Sequence, residues 1–280
     1  MAEESGLSRK TFVLLGSGAV VAIAGADATA ASAAPVGAPQ TIAATTPAHP
    51  KPTPLPPLTT LPEAYSYFTQ PERAFVEAAV ERLIPTDAAG PGGREAGVAY
   101  FIDQQLDGQF GYAAKMYMQG PWLPALPTQG YQLPLTPRDV YRLGIAGVNA
   151  YCQKQYGGKT FDALAASDQD TVLTGLDQAT ITLDAVPAKT FFEMLYANTV
   201  EGFFSDPMYG GNRDKIGWKL VGFPGAAASY ANYIEKHNVA YTVAPVSIAD
   251  LQHAEETALS QGMDEMEVHT VLARKALGGR

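Results

Sequence analysis

The feature that most restricts what this chain can fold into is a spacing. Apolar residues recur at helical intervals in segment after segment, and no stretch alternates apolar and polar side chains as a half-buried strand does. Phe75, Val76, Ala79, Val80, Leu83 and Ile84 form the first stripe, opened by the capping-box signal Thr69-Gln70-Pro71-Glu72 and stopped at Pro85. Val98, Phe101, Ile102 and Leu106 form a second, ended by Asp107-Gly108. Thr136-Pro137-Arg138-Asp139 supplies an N-cap with proline at the first helical position, and it leads Val140, Leu143, Gly147, Val148 and Tyr151 onto one face. In that segment Gly144 and Gly147 suggest a close helix contact. Ser167-Asp168-Gln169-Asp170 opens a helix carrying Val172, Leu173 and Leu176. The strongest stripe follows Pro187 and contains Phe191, Phe192, Leu195, Tyr196 and Val200. The expected fold is therefore mainly α, a single helical domain with long loops over one side.

Those loops are unusual in composition. Residues 201–226, EGFFSDPMYGGNRDKIGWKLVGFPGA, place large side chains among glycines that interrupt any continuous period, so the segment reads as irregular and held by a scaffold. Tyr209, Arg213, Trp218 and Phe223 are its candidate partner-binding residues, because aromatic and Arg side chains concentrate interface energy. A loop that plugs the core is the competing reading. Gly210-Gly211-Asn212-Arg213-Asp214 reads as a turn, with an anion cradle as the alternative. A second loop, residues 116–134, mixes Tyr117, Trp122 and Tyr131 with prolines and glycines, and Trp122 is its candidate binding residue.

The ends differ from the middle. Residues 1–33 have the build of an export signal: Ser8-Arg9-Lys10-Thr11-Phe12-Val13 leads into a mildly apolar run and the small-residue site Ala31-Ser32-Ala33. Its start is similar to a twin-arginine motif, with Lys10 where the second arginine would stand. Prolines crowd residues 34–62, which favours an extended linker. The helical domain is expected over 63–248, with a short helix at Tyr230–His237 and extended chain at Tyr241–Val246. Residues 249–280 are expected to form a partly ordered tail, with a helix start at Ser247-Ile248-Ala249-Asp250.

Composition removes several chemistries. A net charge of −9 argues against nucleic acid, which demands clustered Lys and Arg. The single cysteine, Cys152, excludes an internal disulfide, a Cys-based zinc site and a cysteine-ligated cluster; without C-x-x-C-H there is no covalent haem. In an exported protein this odd cysteine is a candidate for an intersubunit disulfide or a thiol shielded by burial. His49, His237, His253 and His269 show no metal-binding spacing. No Gly-rich nucleotide fingerprint and no nucleophile elbow occurs, so no catalytic, cofactor-binding or metal-binding residue is assigned to this chain.

The run GFFSDPMYGGNRDKIGWKLVGFPGA, preceded by VPAKTFFEMLYANTVE, resembles the gluconate 2-dehydrogenase subunit 3 family. This family comprises the small (gamma) subunits of membrane-bound gluconate, fructose, sorbitol and glucose dehydrogenases. FVEAAVERLIP, REAGVAYFIDQQL, YMQGPW, QGYQLPLTPRDVYRLGIAGVNAYC and HNVAYTVAPVSI fit it in the same order, so the resemblance covers about Tyr67–Ile248. It implies a non-catalytic, periplasmic subunit beside an FAD-dependent catalytic subunit and a multihaem cytochrome c. FAD and haem c would then lie on those partners, and membrane association would come only through the complex. The reading from a different class is an independent exported carbohydrate-binding protein or enzyme that uses the Trp122 and Trp218 loops.

Overall fold

One helix organises the structure. In the computed structural model, which describes residues 64–123, 126–226, 234–239 and 243–276, helix α5 (Ala188–Phe204) packs against α1 (Gln70–Leu83), α2 (Val98–Asp107), α3 (Pro137–Gln155) and α4 (Ala166–Asp177). A short helix α6 (Ile216–Val221) follows it, and α7 (Ile248–Ser260) and α8 (Glu265–Ala276) end the described chain. All described residues lie in the compact unit Pro56–Arg280; the unit Met1–Leu55, the expected export signal 1–33 and the linker 34–62 lie outside them. Among the described residues there are no strands, only isolated bridges at Asp87/Gly90 and Gly225/Val246, so the mainly α expectation holds.

Local chemistry sets several helix starts. At α1 the Glu72 carboxylate accepts the Thr69 N–H (2.9 Å) and hydroxyl (2.6 Å), and Arg142 of α3 donates to the same oxygen at 2.8 Å. One carboxylate thus caps a helix and ties it to another. At α3, Asp139 accepts the Thr136 N–H at 2.9 Å while Thr136 Oγ1 accepts the Asp139 N–H at 3.3 Å. Helix α4 begins slightly earlier than its Ser-Asp signal implied. Ala165 O receives both Asp168 N–H and Gln169 N–H at 3.0 Å, so the backbone closes the turn without a side-chain cap.

The core is a chain of rings. Phe75 lies 4.7 Å from Phe161 and 6.1 Å from Phe191, which meets Tyr141 edge-on at 5.9 Å. All are fully buried, and each contributes about 2–3 kcal/mol by leaving water. The buried face of α3 is rotated from the expected one. Val140, Tyr141, Gly144, Ile145, Val148 and Cys152 face inward, while Leu143, Gly147 and Tyr151 sit at the margin. Two contacts explain the rotation. Tyr141 turns inward because its hydroxyl accepts a hydrogen bond from Asn198 of α5 at 3.0 Å, and a Cβ at Gly144 would overlap the Phe191 ring. The close contact expected at Gly144 is real, whereas Gly147 faces the Leu183 side chain rather than a helix.

Asp103, fully buried on α2, holds the incoming chain. Its carboxylate accepts backbone N–H groups of Ser66 (2.7 Å), Tyr67 (3.0 Å) and Phe68 (2.7 Å), which compensates the cost of burying the charge. Arg82 of α1 meets Asp170 of α4 with paired 2.7 Å bonds.

The C-terminal segment is more structured than its composition suggested. Ser247 and Asp250 form a reciprocal cap at α7, Asp264 and Glu267 form another at α8, and the helices pack on each other with Ala254, Ala258 and Val268 buried. Small side chains allow this approach, which is why the segment looked only weakly apolar. Of the helix expected at Tyr230–His237, residues 230–233 lie outside the described residues and 234–239 contain turns. Of the extended chain at Tyr241–Val246, residues 241–242 also lie outside, and Val246 forms the single bridge to Gly225.

Candidate partner interface

The 201–226 segment is not one long irregular loop. Its first residues complete α5, a helical turn at Pro207–Tyr209 and a tight left-handed turn at Arg213–Lys215 follow, and α6 closes it. Asn212 is the hub. It is fully buried in a left-handed conformation (φ 46°), donates through Nδ2 to Ser205 O (2.8 Å) and accepts the Gly217 N–H at Oδ1 (2.8 Å). The Arg213 N–H is committed to Ala96 O at 2.9 Å. The Gly210 N–H is likewise used internally, by Pro207 O at 3.0 Å, so two of the amides an anion cradle would draw on are engaged, which favours the turn reading.

Glycine permits the fit. A Cβ at Gly217 would overlap Phe203 O, and one at Gly211 would overlap Gly202 O, so the loop backbone lies directly on the end of α5.

Trp218 is 5% exposed; its Nε1–H donates to Phe204 O at 2.8 Å and its ring meets Phe223 edge-on at 5.3 Å. This corrects the expectation that Trp218 offers its ring to a partner. The indole finds its hydrogen-bond acceptor at the end of α5, inside its own subunit. Phe223, 46% exposed, and Tyr209 remain at the surface, with Leu220 and Val221 exposed beside Phe223 in the chain. Arg213 is also exposed, with its guanidinium close to Gly97, where a Cβ would come within 3.1 Å of Nη2.

The other aromatic loop behaves differently. Tyr117 (79% exposed), Leu123 and Leu126 all face outward, and Trp122 is half-buried beside Gly120. Nearby Arg138 lies over the Tyr67 ring at 4.6 Å and the exposed Tyr112 ring at 4.4 Å. Each loop therefore turns apolar side chains outward.

Cys152 is fully buried on the inward face of α3, and burial pushes its thiol up to about 11, so it stays protonated at neutral pH. Of the two readings of this cysteine, the geometry fits the shielded thiol: a cross-link from here requires the inner face of α3 to open.

Several residues that matter here carry no sequence motif. Asp206 accepts the Met208 N–H through one oxygen (3.0 Å) and the Ile248 N–H of α7 through the other (2.8 Å). Lys215 meets Asp250 of α7 at 2.5 Å. Burial alone would raise Asp250, but hydrogen bonds from Lys215 and Ser247 outweigh it and hold the carboxyl below its ordinary value. Asn212 did leave a trace, since Asn after Gly-Gly is a common left-handed turn residue; the Asp206 and Lys215 contacts span too many residues to leave one.

Among the described residues no group of three or more His, Cys, Asp or Glu side chains gathers as metal ligands, and no helix is long and apolar enough to cross a membrane. Of the histidines, His237, His253 and His269 are exposed; His49 lies outside the described residues.

A family model described as gluconate 2-dehydrogenase subunit 3 matches residues 70–225, from the first residue of α1 through both aromatic loops. The chain belongs to the gluconate 2-dehydrogenase subunit 3 family. No curated protein and no solved structure matches it. Membership assigns the helical core and both loops to one family unit, and it leaves α7 and α8 beyond the matched region.

Proposed function

We propose that this chain is the non-catalytic small subunit of an exported FAD-dependent sugar or polyol dehydrogenase complex, which binds the catalytic flavoprotein and assists its maturation and export. The family match over residues 70–225 carries this reading, because it spans the helical core and both loops that turn apolar side chains outward. In this proposal FAD sits on the catalytic subunit, haem c on a multihaem cytochrome, and the assembled complex is periplasmic and membrane-associated through its partners. Tyr209, Arg213 and Phe223 on one loop, and Trp122 with Tyr117, Leu123 and Leu126 on the other, are the docking residues. An export signal on residues 1–33 would serve both proteins, since a flavoprotein must fold around its cofactor before translocation.

The test is co-expression of the chain and its proposed FAD-dependent catalytic subunit, with fractionation and dye-linked dehydrogenase assay. Deleting this chain should leave the flavoprotein inactive or retained in the cytoplasm. Full activity and normal export without it would reject the proposal. The competing carbohydrate-binding reading loses one of its two rings, because Trp218 is internal.

A further inference from the structure

The family match stops at residue 225, and the chain beyond it returns to that same residue. We infer that the α7–α8 pair is a strap that keeps the 205–225 loop in the compact form that buries Trp218, so that loop and strap open and close together.

Separate attachments run from the strap to the loop. Val246 N–H donates to Pro224 O at 3.1 Å and Ala226 N–H donates to Val246 O at 2.7 Å, which places Gly225 against the returning chain. A Cβ on Gly225 would overlap Val246 O on one side and lie 2.6 Å from Trp218 Cζ3 on the other. The backbone there is clamped between strap and indole. Asp206 divides its carboxylate between its own turn and the Ile248 N–H that begins α7. Lys215 reaches Asp250, and the same carboxylate caps α7 by accepting the Ser247 N–H at 2.8 Å.

The loop has reason to need this support. Asn212, Asp214 and Lys215 all have positive φ (46°, 54° and 58°), a region that non-glycine side chains disfavour. Such backbone persists only where its surroundings over-determine it. On one side of the loop that role falls to Asn212 and the end of α5; on the other it falls to the strap. Lys215 is both a left-handed residue and an attachment point, so releasing its side chain removes a restraint from the least comfortable stretch of backbone.

Hydrogen exchange on the full chain tests this without any partner, so its outcome is independent of the assignment to a dehydrogenase complex. Asp250→Asn keeps a side chain able to cap α7 but removes the charge that faces Lys215, and Lys215→Met removes the same link from the other end. Each should speed exchange of the Gly217 amide about fivefold, as expected for loss of one partly buried ion pair. In a Trp122→Phe background, where Trp218 is the remaining indole, acrylamide quenching should rise in parallel. The double variant should be no worse than the worse single, because both remove one interaction. Amides in the middle of α3 and α5 should keep their protection. Unchanged Gly217 exchange and quenching, with faster exchange confined to α7 and α8, would show an independent appendage. Uniform acceleration through α3 and α5 would equally reject a local strap.

Discussion

The two aromatic loops look alike in sequence and fold in opposite ways. Both mix a tryptophan with tyrosine, prolines and glycines, yet residues 205–225 turn their tryptophan inward and residues 116–134 leave Tyr117, Leu123 and Leu126 in solvent. The difference lies in what surrounds the glycines. Gly211, Gly217 and Gly225 each sit where a Cβ would overlap a backbone carbonyl oxygen of another segment, whereas Gly130 has nothing within 4 Å. Close backbone approach brings polar groups into reach of one another, and Asn212 Nδ2 and the Trp218 N–H then find acceptors at the end of α5. A tryptophan in a glycine-rich loop is therefore drawn inward where the loop offers such anchors, as at Trp218.

The largest expected effect separates the two tryptophans. Trp218→Ala should destabilise the subunit by about 3–5 kcal/mol, through a cavity and the unpaired Phe204 carbonyl, while Trp122→Ala should cost about 1 kcal/mol or less. Thermal or urea unfolding of the purified chain reads this directly, and equal losses would break the contrast.

A smaller contrast applies to the glycines. Gly217→Ala forces a methyl against Phe203 O and should cost about 3 kcal/mol; Gly130→Ala, in open space at φ 71°, should cost about 1 kcal/mol from backbone conformation alone. If the two variants melt together, the close approach does not govern the loop.

Assembly gives the next comparison, and it rests on the proposed function. Tyr117→Ala should leave the melting temperature nearly unchanged, and Phe223→Ala, which loses its ring contact with Trp218, should cost about 1 kcal/mol of stability; each should weaken binding of the catalytic subunit, by about 2 kcal/mol where the side chain fills a pocket. Titration calorimetry with both variants shows which loop faces the flavoprotein. A loss confined to Tyr117→Ala would move the interface to residues 116–134.

The smallest effect is electrostatic. Asp250 titrates below its ordinary value of 3.8, so its ionised form favours the folded strap; that contribution is fully present above the ordinary value and disappears as pH falls through the lower, folded-state value. Acid unfolding followed by Trp218 fluorescence should therefore begin at higher pH in Asp250→Asn, which lacks the ion pair at every pH. Matching acid transitions in the two proteins would show that the Lys215 contact adds nothing to stability.

Much of the helical frame is legible in the sequence because its signals are local. Thr69 with Glu72, Thr136 with Asp139, and Ser247 with Asp250 act across three residues, and the stripes of α1 and α2 repeat within single helices. Which face of α3 points inward was less legible, because Tyr141 owes its burial to Asn198 and Phe191 on another helix. The family, too, could be read from ordered motifs along the chain.

By itself, then, the sequence determined the helix periods, their caps and the segments rich in aromatic and glycine residues. Only the tertiary structure decided that Trp218 is internal, that Cys152 is shielded, and that the start of α7 folds back onto residues 206–225 with α8 packed on α7. The physical reason is range. A cap or a stripe is set by neighbours within a turn or two, whereas the Asp206 bond to Ile248 and the Lys215 pair with Asp250 join residues brought together only by packing.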